Sequence, residues 1–198
     1  MKLYITTPSP FSRKVRIVAH EKGLSDRIEE IAVDPYANAP ELLATNPVVQ
    51  VPTLIAEDGL PLTDSPVIAE YLDMIGSGPR LLPADGAERL RVKRLETLAN
   101  ATLEMGVKLV LEKRRPEAER SPSWISRWTF NMGRSLDALE AAAPSAEDFN
   151  MGVLSAGITV SWVSFRHPDY DWKSDRPNLV ALQAALEQRP SFQATTPV

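Results

Sequence analysis

Residues 46–66 read Asn-Pro-Val-Val-Gln-Val-Pro-Thr-Leu-Ile-Ala-Glu-Asp-Gly-Leu-Pro-Leu-Thr-Asp-Ser-Pro, and this stretch decides how the rest of the chain is interpreted. The apolar, β-branched run after Pro52 is typical of a strand. Proline has no N–H to donate to a sheet, so it is tolerated at the first residue of a strand. A cis bond between Val51 and Pro52 would turn the main-chain groups of Val51 outward. We therefore expect an edge here to which an extended peptide can pair.

The end of the same stretch predicts the start of an amphipathic helix that continues to about Ile75. Ser65 is the expected N-cap, and Pro66 takes the first helical position. The free N–H groups and the partial positive charge of a helix start favour a carboxylate. An anion site that includes Asp64 and Ser65 is therefore expected beside the peptide-pairing edge.

The segments on either side predict a small α/β domain. Strands are expected over residues 2–5, 27–33, 53–55 and 60–62, and helices over residues 10–22, 41–43 and 65–75. Ser9 is the expected N-cap of the first helix, by the same Ser-Pro pattern, and Gly23 ends that helix. The order βαβαββα combines a parallel part with a terminal hairpin, which is the thioredoxin-like arrangement.

The composition changes in the middle of the chain. Residues 76–83 contain two glycines and two prolines, which indicates a linker. No β pattern follows, and apolar residues three and four apart predict helices that begin near residues 87, 121, 150 and 177. We therefore predict a thioredoxin-like domain over residues 1–76, a linker over 77–86 and an all-helical domain over 87–198.

Charge and hydropathy exclude several classes of function. The 198-residue chain has a formal net charge of −4 and no basic run, which argues against nucleic-acid binding. Met1 leads directly into a strand-like segment, so no signal peptide is expected. The longest largely apolar run, residues 152–163, is too short to cross a bilayer. The sequence therefore predicts a cytoplasmic protein with no nucleic-acid or membrane partner.

The chain contains no cysteine, which excludes disulfides, zinc–thiolate sites and iron–sulfur clusters. Any thiol chemistry must therefore use a thiol that the ligand brings. His20 and His167 stand alone in the sequence, and no histidine–carboxylate group has metal-ligand spacing. The aspartates of residues 169–175 are expected to lie in a surface loop. We expect no metal.

The sequence Gln-Val-Pro-Thr-Leu at residues 50–54, followed by Asp64-Ser65, resembles the glutathione-binding half of the cytosolic glutathione S-transferases. A thioredoxin-like domain joined to a helical one is also the organisation of that family, and Arg-Pro-Ser-Phe at residues 189–192 is similar to its closing segment. The family's capping box is present only in part, because Asn150 can cap a helix but Val153 cannot return the hydrogen bond. The resemblance implies a homodimer that binds glutathione and a small hydrophobic electrophile.

The start of the first helix supplies the candidate catalytic residue. Ser9-Pro10-Phe11 resembles the serine-type bacterial members of the family, which implies that Ser9 is catalytic. A free thiol has a pKa of about 8.5 and is mostly protonated at neutral pH. A hydroxyl donor at a helix N-terminus favours the thiolate, so Ser9 is expected to donate a hydrogen bond to the sulfur without acting as a nucleophile. The alternative is that Ser9 only caps the helix.

Other residues near Ser9 allow further interpretations. Arg13, Lys14 and Arg16 are expected either to add a favourable field or, as is more common, to lie on a solvated helix face. Thiol–disulfide exchange as in cysteine-type members is excluded, because a serine stands in that place. Tyr4 lies in the first strand, too early in the chain to match the donor of tyrosine-type members.

The resemblance also assigns the contacts to glutathione. Gln50 is expected at the glycyl end, and the main chain at Val51 and Pro52 is expected to pair with the cysteinyl unit. Asp64 and Ser65 are expected to bind the γ-glutamyl end.

The electrophile is expected between the two domains. Phe11 from the first domain and Thr102, Met105 and Trp162 from the second are the expected lining of a hydrophobic substrate pocket. The alternative is that these apolar positions at helical spacing belong to an ordinary core.

The expected activity is that of a glutathione S-transferase for alkyl or aryl groups, which serves detoxification by attack of the thiolate on an electrophilic carbon. One alternative is glutathione-dependent isomerisation or reductive cleavage, which needs the same thiolate and a different second pocket. Another is a glutathione-transferase-like protein that binds partners and has little catalysis.

Overall fold

A four-stranded sheet forms the centre of the first part of the chain in the computed structural model, which describes residues 1–197. Its strands are β1 (Lys2–Ile5), β2 (Glu29–Ala32), β3 (Thr53–Ile55) and β4 (Pro61–Thr63). The order is β2-β1-β3-β4, with β1 parallel to β2 and β3 antiparallel to both of its neighbours. The accompanying helices are α1 (Pro10–Glu21), α2 (Pro40–Thr45) and α3 (Ser65–Ile75). This is the predicted thioredoxin-like arrangement, and the predicted fold class is confirmed.

The sheet is held by apolar side chains that the strand register places opposite each other. Leu3 of β1 lies opposite Leu54 of β3, and both side chains are fully buried. Helices α1 and α3 pack against each other and contribute Val15, Ile17 and Ile68 to the same core. Because burial of one such side chain is worth roughly 1.5–3 kcal/mol, this core is sufficient to hold the helices on the sheet.

A buried ion pair fixes the chain where it leaves α3. Lys22 Nζ lies 3.1 Å from Asp73 Oδ1 and donates a 2.8 Å hydrogen bond to the carbonyl of Pro79. Asp73 also accepts hydrogen bonds from the side chain of Arg80 and the main chain of Leu81. Because these bonds satisfy the buried carboxylate, the residues after α3 follow a defined path.

The helical part of the chain contains four helices. They are α4 (Gly86–Arg114), α5 (Pro122–Ala142), α6 (Met151–Arg166) and α7 (Pro177–Leu186). Helix α4 packs against α5 and α6, and α6 is buried along most of its length. Ser121 caps α5, near the predicted start of that helix, and Asn150 caps α6, as predicted: the side chains of both accept hydrogen bonds from main-chain N–H groups. No helix within residues 1–197 is long and apolar enough to cross a membrane.

The division of the chain differs from the predicted domains at the C-terminal end. One unit comprises residues 1–81 and the residues from Arg189 onward, and the other comprises Leu82–Gln188. The boundary after residue 81 falls inside the predicted linker, but the predicted helical domain extends to residue 198. The last helix, α8 (Pro190–Ala194), instead belongs to the thioredoxin-like unit, because its Phe192 carbonyl accepts a hydrogen bond from Arg13 in α1.

His167 links two helices of the second unit. The ring is buried, and its Nε2 lies 3.1 Å from the carbonyl oxygen of Gly106. A carbonyl can only accept, so Nε2 carries the hydrogen in the neutral ring. Burial lowers the pKa of His167 below 6.5, and the charges of Lys113 and Arg166 lower it further, against a smaller opposite effect of the bond to Gly106.

This depressed pKa predicts a loss of stability on mild acidification. As the pH falls below about 6.5, the unfolded chain binds a proton at this position before the folded chain does, so the free energy of unfolding decreases. We expect His167→Gln to reduce this decrease between about pH 7.5 and about pH 5.5 by at most about 1.4 kcal/mol, measured by urea unfolding. The control is His20→Gln, because His20 is exposed. Equal pH dependence in His167→Gln and the wild type would contradict the assignment.

Candidate functional site

The register of β3 brings three predicted site segments to one end of the sheet. Thr53 lies opposite Tyr4 of β1 on one side and opposite Thr63 of β4 on the other. Because both pairings are antiparallel, the chain that enters β3 lies beside the chain that leaves β1 and the chain that leaves β4. The step from Val51 to Pro52 is therefore flanked by the segment that leads to Ser9 and by the segment that begins α3.

Two buried side chains shape the loop that precedes β3. Asn46 donates hydrogen bonds to the carbonyl of Gln50 at 3.1 Å and to Thr53 Oγ1 at 2.9 Å, and it accepts one from the N–H of Val48. Thr53 Oγ1 in turn donates to the carbonyl of Gln50 at 2.8 Å. This network fixes the chain on both sides of Val51. Asn46 and Thr53 were not among the predicted site residues. The position of Asn46, a polar residue directly after a short helix, is a signal that its side chain forms hydrogen bonds with the main chain of the following loop.

The main chain of Val51 is available to a ligand. The bond between Val51 and Pro52 is cis, as the sequence hypothesis requires. Among residues 1–197, none forms a hydrogen bond with the main-chain N–H or C=O of Val51. Gln50 is exposed next to it. An extended peptide can therefore pair with Val51 as a further strand would.

The start of α3 differs from the prediction by one residue. The N-cap is Asp64, not Ser65, because the carbonyl of Asp64 accepts the first helical hydrogen bond, from Ile68. Asp64 has a φ of 71°, in the left-handed region that a non-glycine residue rarely adopts. Its side chain is exposed and makes no capping bond. Residues with a strained backbone conformation of this kind are often found at binding sites, where the strain holds the side chain in the orientation that the ligand needs.

Ser65 has a buried hydroxyl with no partner. Its side chain is 1% exposed, and its Oγ forms no hydrogen bond with any residue of the described chain. A buried polar atom without a partner costs roughly 1–3 kcal/mol, so it calls for an explanation. A ligand carboxylate at the start of α3 would supply the missing acceptor, in a place that the helix dipole already favours.

Ser9 is the N-cap of α1, as predicted, and is half-buried. Its Oγ accepts a hydrogen bond from the N–H of Ser12 at 3.2 Å. Since this bond uses a lone pair, the hydrogen of the Ser9 hydroxyl remains able to point to a ligand. Capping and donation are therefore compatible at this residue. Tyr4, the alternative donor, is buried inside β1.

The basic residues of α1 do not form a solvated face. Arg13 and Lys14 are buried, at 2% and 0% exposure. Arg16 is partly exposed and forms a 2.8 Å ion pair with Glu30. The buried Ser12 also has an Oγ without a hydrogen-bond partner within residues 1–197.

The four residues of the predicted substrate pocket lie in different environments. Phe11, in the first unit, is half-buried, as is Met105 in the second. Thr102 is fully buried and donates a hydrogen bond to the carbonyl of Leu98 within α4. Trp162 is buried in the second unit, edge-on to the ring of His167. The contacts of Thr102 and Trp162 are those of core residues.

Comparison with known proteins agrees with this geometry. Residues 8–75 match the family model described as the N-terminal domain of glutathione S-transferase. The chain is 36% identical to the uncharacterized GST-like protein YibF of Escherichia coli, over all of this chain and 98% of that protein. It is 31% identical to maleylacetoacetate isomerase of Pseudomonas aeruginosa, over 71% of this chain and 68% of that protein.

A solved structure extends the likeness to the whole fold. It is a glutathione transferase family member from Pseudomonas fluorescens Pf-5 with bound glutathione, and it shares 33% identity and a TM-score of 0.95 with this chain. The match covers all of this chain and 98% of the other. The chain belongs to the glutathione S-transferase family.

Proposed function

We propose that this protein binds glutathione and activates its thiol for attack on a small hydrophobic electrophile. The observation that carries the proposal is the buried, unpartnered hydroxyl of Ser65 next to the exposed carboxylate of Asp64. An amino-acid group has an ammonium and a carboxylate on one carbon. Asp64 suits the ammonium, and Ser65 with the start of α3 suits the carboxylate.

The remaining parts of glutathione have partners at the same end of the sheet. The γ-glutamyl group binds at Asp64 and Ser65, and the cysteinyl unit pairs with the main chain of Val51. Gln50, which is exposed beside Val51, binds the glycyl end. The antiparallel register that places Val51 beside the segment leading to Ser9 supports a thiol position near α1.

Ser9 stabilises the thiolate in this proposal. To lower a thiol pKa by about two units requires about 2.7 kcal/mol of preferential stabilisation of the anion. A hydrogen bond to a charged group supplies about 1.5–3 kcal/mol, and a helix N-terminus adds about 0.3–1 kcal/mol. The thiolate then attacks an electrophilic carbon: a carbon–sulfur bond forms, and the leaving group departs with the bonding electron pair. The homodimer, the cytoplasmic location and the lining of the substrate pocket stay predictions from the sequence.

A second candidate function uses the same thiolate. The similarity to a maleylacetoacetate isomerase favours glutathione-dependent isomerisation. The two reactions differ in the fate of glutathione, because transfer consumes one glutathione for each product, whereas isomerisation returns it. Measurement of free thiol together with product formation therefore separates them.

Binding at the start of α3 is tested by two matched serine variants. Ser65→Ala should weaken binding of glutathione roughly tenfold to a hundredfold, because it removes a hydrogen bond to a charged carboxylate. Ser12→Ala removes a second buried hydroxyl that has no partner within residues 1–197, and it should leave the affinity unchanged. Neither change should lower the free energy of unfolding without ligand, since each removes an unsatisfied polar atom. Titration calorimetry gives the affinity, and urea unfolding gives the stability. Equal affinities for the two variants would contradict the assignment of Ser65.

Activation of the thiol is tested by two matched capping serines. Ser9 and Ser121 each cap a helix that begins with Pro, so Ser9→Ala and Ser121→Ala should each cost about 0.5–2 kcal/mol of stability. Only Ser9→Ala should raise the pKa of bound glutathione, by about one to two units, because only Ser9 donates to the sulfur. The ultraviolet thiolate band of the bound ligand, followed against pH, reports this pKa. A wild-type pKa in Ser9→Ala would show that Ser9 is a cap and nothing more.

A further inference from the structure

The end of the described chain returns to the helix that carries Ser9. We define the C-terminal segment as residues 189–196. Arg189 forms two hydrogen bonds with the carboxylate of Glu21, from Nε at 3.2 Å and from Nη2 at 2.8 Å. Ser191 Oγ donates to the same carboxylate. Glu21 is the last residue of α1, so this end of the helix is tied to the C-terminal segment by three hydrogen bonds.

The same segment also contacts α1 near Ser9. The guanidinium of Arg13 donates a 3.1 Å hydrogen bond to the carbonyl of Phe192, and it lies 5.3 Å from the centre of the Phe192 ring. Both side chains are buried. Thr195 is buried next to them and donates to the carbonyl of Ser191, which holds the segment in its helical turn. The C-terminal segment therefore contacts α1 at both of its ends.

We infer that the C-terminal segment positions Ser9 for thiolate stabilisation by holding α1 at Arg13 and at Glu21. The inference rests on the proposed function, since it concerns the thiol that Ser9 serves. The connection to Ser9 is short: the Ser9 hydroxyl accepts from the N–H of Ser12, whose neighbour is Arg13. A displacement of about 1 Å at a reacting group can cost about 100-fold in rate, so a small shift of α1 changes the hydrogen bond to the sulfur.

The segment is not the main support of the fold of α1. Val15 and Val18 are fully buried on the opposite side of the helix from Arg13, and the helix also packs on α3. If the polar contacts to the C-terminal segment are lost, α1 therefore stays on its sheet. Its two ends are then no longer held by hydrogen bonds to that segment. Affinity for a glutathione analogue without a thiol hydrogen should change little, because Val51, Asp64 and Ser65 lie outside α1.

The pair at Glu21 stays intact over the pH range in which a thiol titrates. Burial raises the pKa of Glu21, but the hydrogen bonds and charge of Arg189 and the hydrogen bond of Ser191 outweigh this effect and hold it below 4.5. Its contribution to stability is thus complete above about pH 4.5 and is lost only as the pH falls below that value. A thiol titration above about pH 5 is not disturbed by it.

The test uses the 198-residue chain with Arg189→Gln, and Arg16→Gln as the control. Arg16 is a cation on the same helix, but its partner is Glu30 of β2. We expect Arg189→Gln to lower the thiolate fraction of bound glutathione at neutral pH roughly threefold to tenfold, with an unchanged Kd for S-methylglutathione. Arg189→Lys keeps the charge but cannot form both hydrogen bonds with Glu21, so it should recover only part of the loss. Arg16→Gln should match the wild type.

Each outcome decides the inference. An unchanged thiolate fraction in Arg189→Gln, or an equal loss in Arg16→Gln, would overturn it. A wild-type protein that binds glutathione without any thiolate would overturn it together with the proposed function, so the two failures are distinguishable.

Discussion

The pairing of Thr53 with Tyr4 on one side and Thr63 on the other is the constraint on which the site depends. It places the entry to β3 between the exits of β1 and β4, so a main-chain edge and two helix starts share one end of the sheet. The buried Asn46 makes this arrangement rigid, because its bonds to Gln50 and Thr53 fix the loop at Val51. In the function we propose, glutathione is bound at Ser65 of α3, and its thiol is activated by Ser9, the N-cap of α1.

Much of this architecture could be predicted because its signals are local. Ser-Pro pairs mark helix starts, glycines and prolines mark the linker, and a proline before a β-branched run marks the entry to β3. Such patterns depend on residues within a few positions of one another. The same reasoning predicted the caps at Ser9 and Asn150 that the structure contains.

The features that sequence patterns missed depend on distant residues. The cap of α3 is Asp64 because the surrounding chain holds a non-glycine residue at positive φ, which no local propensity favours. Arg13 was not recognised as a buried residue because its partner Phe192 lies 179 positions away. For the same reason the predicted helical domain wrongly includes α8. Thr102 was considered for a pocket by its spacing, whereas its hydrogen bond to Leu98 belongs to the interior of α4.

The most direct test of the account counts the protons released when glutathione binds. Calorimetry at about pH 7 in two buffers of different ionisation enthalpy gives this number, with S-methylglutathione as the control. A free thiol is almost fully protonated at this pH, so a thiol whose pKa falls by about two units on binding should release about 0.7 proton per glutathione. S-methylglutathione, which has no thiol hydrogen, should bind with no such release. Binding of glutathione with the same enthalpy in both buffers would contradict the claim that this protein activates the thiol.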